Sequence, residues 1–172
     1  MKRHLEPLAL AANITQATFC CMDQVLLTFG FLVLQYQKMA NSDVEDQAGC
    51  TAIIASLERR WLKADQELFI GAVLLNPFFR TSPFAPHPAL NIAGVYTIIG
   101  LLWTRFYDTA PPDVLNLHIG EYLAGSGFFK HLDWQRKIHQ MNADRVVRPP
   151  LLTPLFLLIW VLPALPWSTH TW

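Results

Sequence analysis

Between Ile53 and Val73 the apolar residues Ile53, Ile54, Leu57, Trp61, Ala64, Leu68, Phe69, Ala72 and Val73 recur every three or four positions. That spacing lines one face of an α-helix and does not fit the two-residue period of a half-buried strand. Glu58, Arg59, Lys63, Gln66 and Glu67 fall on the opposite side. The pattern predicts one long helix over residues 44–75, entered through the Asn41-Ser42-Asp43 turn and cap cluster. It should stop at Asn76-Pro77, because a residue before proline is pushed out of the helical region. A stripe of this length must be buried against other elements.

The neighbouring segments supply helical partners. Over residues 14–39, Val25, Leu26, Phe29, Leu32, Val33 and Tyr36 keep helical spacing, and Leu27, Phe31 and Leu34 fill the other face. A helix apolar nearly all round is a core helix or lies in lipid. Its longest uncharged run, residues 25–37, falls short of the roughly 20 residues a membrane span needs. Asn13 and Thr15 stand as its caps. Four prolines in residues 77–88 forbid regular structure, and Phe78, Phe79 and Phe84 suggest that this loop packs down. A third helix is expected over residues 89–107, with Ile92, Val95, Ile98, Ile99, Leu102, Trp103 and Phe106 apolar. A short one follows from Pro112 and stops at Gly125-Ser126-Gly127. A last amphipathic helix covers residues 128–142, with Phe129, Leu132, Ile138 and Met141 on its apolar side. No β-branched alternation is long enough for a strand. The fold class is therefore mainly α, with four to five helices.

Composition bounds the function. The 172 residues carry 13 Lys plus Arg and 13 Asp plus Glu, a formal net charge of zero. This excludes nucleic-acid binding by bulk charge, and an acidic solvating tail. Charged residues make up 15% of the chain, against about 25% in an ordinary soluble domain. Such a chain is deeply buried, part of something larger, or membrane-associated. Cys20, Cys21 and Cys50 form no regular disulfide pattern and read as reduced, intracellular core thiols. The start, Met1-Lys2-Arg3-His4-Leu5-Glu6-Pro7, is a poor signal peptide.

The character changes at residue 149, dividing the chain into a helical region, 1–148, and a tail, 149–172. The tail has five prolines and no charged residue. Residues 151–167 form an apolar run of 17, at the lower limit for a span. Pro154, Pro163 and Pro166 would break or kink it.

The search for chemistry returns mostly absences. His4, His87, His118, His131, His139 and His170 stand at no zinc spacing. Ser126 sits in Gly-Ser-Gly, which is neither a hydrolase elbow nor a phosphate loop, and reads as a helix stop. A two-metal site needs converging carboxylates. The candidates are Asp65, Glu67, Asp108, Asp113, Glu121 and Asp133. Asp65 and Glu67 do not face each other on a helix, and Asp113 reads as a helix N-terminal charge. His118 and Glu121 share a helical face but make only a two-residue match. Arg59-Arg60-Trp61-Leu62-Lys63, Arg80 and Trp103-Thr104-Arg105-Phe106-Tyr107 interleave basic and aromatic groups. They could contact phosphates, although packed stems with exposed heads describe them better. No catalytic, cofactor-binding or metal-binding residue is assigned.

One stretch is more specific. Residues 64–80, Ala-Asp-Gln-Glu-Leu-Phe-Ile-Gly-Ala-Val-Leu-Leu-Asn-Pro-Phe-Phe-Arg, resemble the segment of hAT-superfamily transposases in which a helix runs into a Leu, Asn or Asp, Pro, aromatic or Arg turn. Leu57-Glu58-Arg59-Arg60-Trp61, Asn91-Ile92-Ala93-Gly94-Val95-Tyr96, and Glu121-Tyr122-Leu123-Ala124-Gly125-Ser126-Gly127 with Trp134 behind it extend the likeness. Over about residues 5–142 the chain resembles a fungal, ribonuclease-H-like group of that superfamily. The resemblance implies that this region corresponds to the all-helical insertion and its exit. The two catalytic aspartates would belong upstream of residue 1. The catalytic Glu and dimerisation segment would belong where Pro149 begins, and the zinc finger is absent. The reading frame would then leave the family pattern near residues 144–148. What the resemblance implies is a catalytically inactive remnant, nuclear or cytoplasmic, without a cofactor. Its residual role would be binding DNA or a transposase-related protein. Apolar surfaces that once faced the missing core would drive self-association. The alternative is a small membrane-associated protein anchored through residues 151–167.

Overall fold

The computed structural model describes residues 2–42 and 47–145. Among these residues the chain is mainly helical and contains no strand. Seven α-helices replace the expected four to five: α1 (Lys2–Thr15), α2 (Met22–Ser42), α3 (Gln47–Trp61), α4 (Gln66–Leu75), α5 (Ile92–Tyr107), α6 (Val114–Ala124) and α7 (Leu132–Arg145). Short 3-10 turns at Pro88–Leu90 and Gly127–Phe129 precede α5 and α7. The expectation that falls on residues 149–172 lies outside the described residues.

Two of the extra helices come from breaks that apolar periodicity does not register. The helix expected over residues 14–39 begins at Met22 instead, and Asn13 and Thr15 belong to α1. The Thr15 hydroxyl donates back to the carbonyls of Ala11 and Ala12, which helps close α1. The Cys21 carbonyl then accepts the first bond of α2 from Val25 N–H at 3.2 Å. Gln24 reaches back to accept from Cys21 N–H at 3.1 Å, one half of a capping box.

The long helix expected over residues 44–75 is likewise two. After Trp61, bonds of the i to i−3 type at Lys63 and Ala64 tighten the chain out of the α geometry. Asp65 then caps α4 by accepting from Leu68 N–H at 3.3 Å. The stop at Asn76-Pro77 lies where the sequence puts it. The last helix begins at Leu132 rather than 128, because Gly127 takes φ 53 and the Gly127–Phe129 turn intervenes.

α2 is central. Leu26, Val33 and Tyr36 are fully buried, consistent with a helix apolar on most faces. Around it close Cys50, Leu57 and Trp61 of α3 and Ile70, Val73 and Leu74 of α4. Val95, Ile99 and Leu102 of α5 join the same core from the far side of α4. Phe29, Trp61 and Phe69 make successive tilted ring pairs, each 6.5 Å between centroids. α4 approaches α5 at Gly71, where a Cβ would collide with Leu102 Cδ1. α1 is fastened by the Tyr36 hydroxyl, which donates to the His4 carbonyl at 2.5 Å. Among the described residues, no helix is long and apolar enough to cross a membrane.

Candidate functional site

The loop after α4 begins with an Asx turn: Asn76 Oδ1 accepts from Phe78 N–H at 2.9 Å. Its carbonyl also accepts from Arg80 N–H at 2.9 Å. The loop does pack down, with Phe84 and Pro83 buried, while Phe78 stays exposed. Thr81, Phe84, Pro86, His87 and Leu90 line a groove of about 560 Å³ along its outer side.

This turning sends Arg80 inward. Its backbone is left-handed (φ 50) and its side chain is buried. That conformation costs a non-glycine residue on the order of 1 kcal/mol or more. Interactions across the fold hold it there. Arg80 Nη2 lies 3.2 Å from Asp133 Oδ1 at the start of α7. The guanidinium carbon stands 5.2 Å from the centroid of the Tyr122 ring on α6, within cation–π range. Burial raises the Tyr122 hydroxyl above its usual pKa, and the nearby Arg80 charge opposes that rise.

The turn between α6 and α7 completes the cluster. α6 ends in a Schellman motif: Ser126 N–H donates to the Glu121 carbonyl at 2.9 Å, and Gly125 N–H to that of Tyr122 at 3.3 Å. Ser126 is therefore part of a helix stop, as its Gly-Ser-Gly setting indicated. Gly125 takes φ 64, and a Cβ there would lie 2.7 Å from Asp133 Oδ2. Arg80 Nε, Glu121 Oε2, the Tyr122 hydroxyl and Trp103 Nε1 are buried with no hydrogen-bond partner among the described residues. The cluster joins the loop, α6 and α7.

The other sequence candidates disperse. Asp65 pairs with Arg105 as well as capping α4. Donation from Arg105 holds the Asp65 carboxyl below the usual range, against the upward push of burial and helped by Leu68 N–H. Asp108 ends α5 in a left-handed conformation, and Asp113 opens α6. His118 meets the Phe128 ring edge-on at 6.3 Å. No three His, Cys, Asp or Glu side chains among the described residues are placed to hold a metal ion. Of the basic–aromatic stretches, Trp61 is core, Arg80 is buried, and Arg105 is engaged by Asp65. Arg59, Arg60 and Lys63 are left exposed.

What the surface does carry is apolar. On α5 the buried stripe Val95, Ile99, Leu102 continues one step further to Phe106, which is 68% exposed. Tyr107 beside it, and Val114 and Leu117 across the turn at the start of α6, are exposed too. The stripe outruns the core, and the helical periodicity of residues 92–106 already marked Phe106 as one of its members. The Arg80–Asp133–Tyr122 cluster had no such signal, since its members are far apart in sequence. No family model, no curated protein and no solved structure matches the chain.

Proposed function

We propose that this chain is a helical association module without catalytic activity, a remnant of a hAT-type transposase whose surviving role is binding protein. The exposed end of the α5 stripe carries the reading. Phe106, Tyr107, Val114 and Leu117 flank one turn, and clustered large apolar side chains of this kind mark interaction sites. In the transposase-like reading this corner is a surface that once abutted the catalytic core. Protein is favoured over DNA because two of the arginines offered for phosphate contact are engaged by Asp133 and Asp65, and the net charge is zero.

Two titrations test it on the full chain. Sedimentation velocity over a concentration series should show mass-action association. Fluorescence anisotropy with labelled duplex DNA should show only weak binding that disappears with added salt. Salt-resistant DNA binding by a strictly monomeric chain would overturn the proposal.

A further inference from the structure

Where the end of α4 meets the start of α2, large apolar side chains stand in solvent. The Asn76 side chain donates to the buried carboxylate of Asp23, which brings their chain neighbours Leu75 and Met22 to one end of the fold. Phe19, in the turn between α1 and α2, is 88% exposed, and Met22, Leu75 and Phe78 are each about half exposed. Residues 7–37 hold one charged group, Asp23, and residues 68–79 hold none. The backbone at this end bonds within itself. Ala17 and Cys20 N–H donate to the carbonyls of Ile14 and Ala17, and Cys21 N–H donates to Gln24 Oε1. Phe78 N–H donates to the Asn76 side chain and Phe79 N–H to its carbonyl. Behind this end Arg59, Arg60 and Lys63 are exposed around the close of α3. Trp61 among them packs on Phe29 of α2 and Phe69 of α4. Phe29 follows Met22 by seven residues and Phe69 precedes Leu75 by six, so this cationic collar lies about 10 Å behind the apolar end. Of the acids nearby, Asp23 is buried, Asp65 is engaged by Arg105, and Glu58 and Glu67 are half-buried.

We propose that this end docks on the surface of an anionic lipid bilayer. Phe19, Met22, Leu75 and Phe78 enter the boundary between headgroups and acyl chains, and Arg59, Arg60 and Lys63 meet the headgroup phosphates. The inference goes beyond the association reading, which rests on the corner between α5 and α6. Three observations select lipid. First, the entering side chains carry no ion with them, since the one carboxylate among them is already buried against Asn76. Second, an unpaired N–H is costly to immerse, and the turns at this end bond their own N–H groups. Third, the charges fit in sign and in depth. Interfacial insertion reaches about 5–10 Å, which leaves a collar about 10 Å back at the level of the phosphates, where an anionic leaflet attracts Lys and Arg. A second copy fits this end less well. An isologous contact presents the same patch twice, so it would bring two cationic collars to one interface, where like charges repel.

The test is flotation of the full chain with two kinds of vesicle, phosphatidylcholine alone and a three-to-one mixture of phosphatidylcholine and phosphatidylserine. Wild type should bind the mixed vesicles, and phosphatidylcholine alone about tenfold more weakly. Phe19→Ser with Phe78→Ser, both exposed positions, should keep the circular dichroism spectrum and bind the mixed vesicles at least about tenfold more weakly than wild type. Arg59→Gln with Arg60→Gln and Lys63→Gln should bind the two kinds of vesicle alike. A second readout does not depend on those variants. A nitrobenzoxadiazole label on exposed Cys21, in Cys20→Ser protein whose Cys50 is buried, should shift its emission to the blue on mixed vesicles. Absence of flotation, or an unshifted label, overturns the inference. Equal flotation of wild type and the phenylalanine variant overturns it by placing membrane contact elsewhere in the chain, and if that variant also loses self-association, the apolar end belongs to a protein contact. A cation variant that keeps the preference for mixed vesicles overturns it as well, because the collar would then not read the headgroups.

Discussion

Asn76 Nδ2 donates a 2.6 Å hydrogen bond to Asp23 Oδ2, joining the end of α4 to the first turn of α2 across 53 residues of sequence. Asp23 is buried, and a buried carboxylate that loses its donor keeps the full desolvation cost. Asn76→Ala should therefore destabilise the fold by about 1–3 kcal/mol, read from urea unfolding midpoints. Adding Asp23→Ala should cost much less than it does alone. Strict additivity would mean that the two side chains do not act as a pair.

The stop at Asn76-Pro77 was legible because proline acts on its own neighbour. The break at residues 62–65 was not, because the stripe from Ile53 to Val73 keeps its period across it. The local signal there was Asp65 with Glu67 behind it, a cap and a first-turn acid, outweighed by the longer pattern. The α1–α2 break contains neither glycine nor proline and is marked by Thr15 bonding back to Ala11 and Ala12 and by Gln24 reaching back to Cys21. The buried Arg80 had no sequence signal, since its partners are supplied by α6 and α7. Of the apolar corner, the periodicity of α5 marked Phe106 alone, as a member of an apolar stripe; its exposure, and the part played by Val114 and Leu117 of α6, follow only from where the two helices meet.

Gly125 should accept no side chain. Its left-handed backbone and the approach of Asp133 both oppose a Cβ. Gly125→Ala should lower stability by about 1 kcal/mol or more, seen as a lower thermal midpoint. A raised midpoint would mean that the turn is not the one described.

Cys50 is completely buried, with its Sγ 3.9 Å from His4 Nδ1 on α1. In a Cys20→Ser, Cys21→Ser background, labelling of Cys50 by N-ethylmaleimide should await local opening of α1. Tyr36→Phe removes the bond to the His4 carbonyl, a loss of about 1 kcal/mol, and should speed labelling about fivefold. An unchanged rate would show that this bond does not hold α1 in place.

Asp65 gives a pH signature. Its folded pKa is lowered by Arg105, so its charge stabilises the fold above the unfolded value of about 3.9. That contribution is lost as pH falls through the lower folded value. Asp65→Asn keeps a competent cap and removes only the charge. The gap in unfolding midpoint between wild type and Asp65→Asn should be full above about pH 4 and close as the solution is acidified. A gap that widens on acidification would contradict the pairing.

The central claim is that the corner formed by Phe106, Tyr107, Val114 and Leu117 binds protein. The most direct measurement is sedimentation equilibrium of the full chain against Phe106→Asp with Leu117→Asp, both exposed positions whose replacement leaves the core intact. The account predicts a wild-type mass that rises with concentration and a variant that stays at the monomer mass of 19.6 kDa with an unchanged circular dichroism spectrum. Equal association by the two proteins would contradict it.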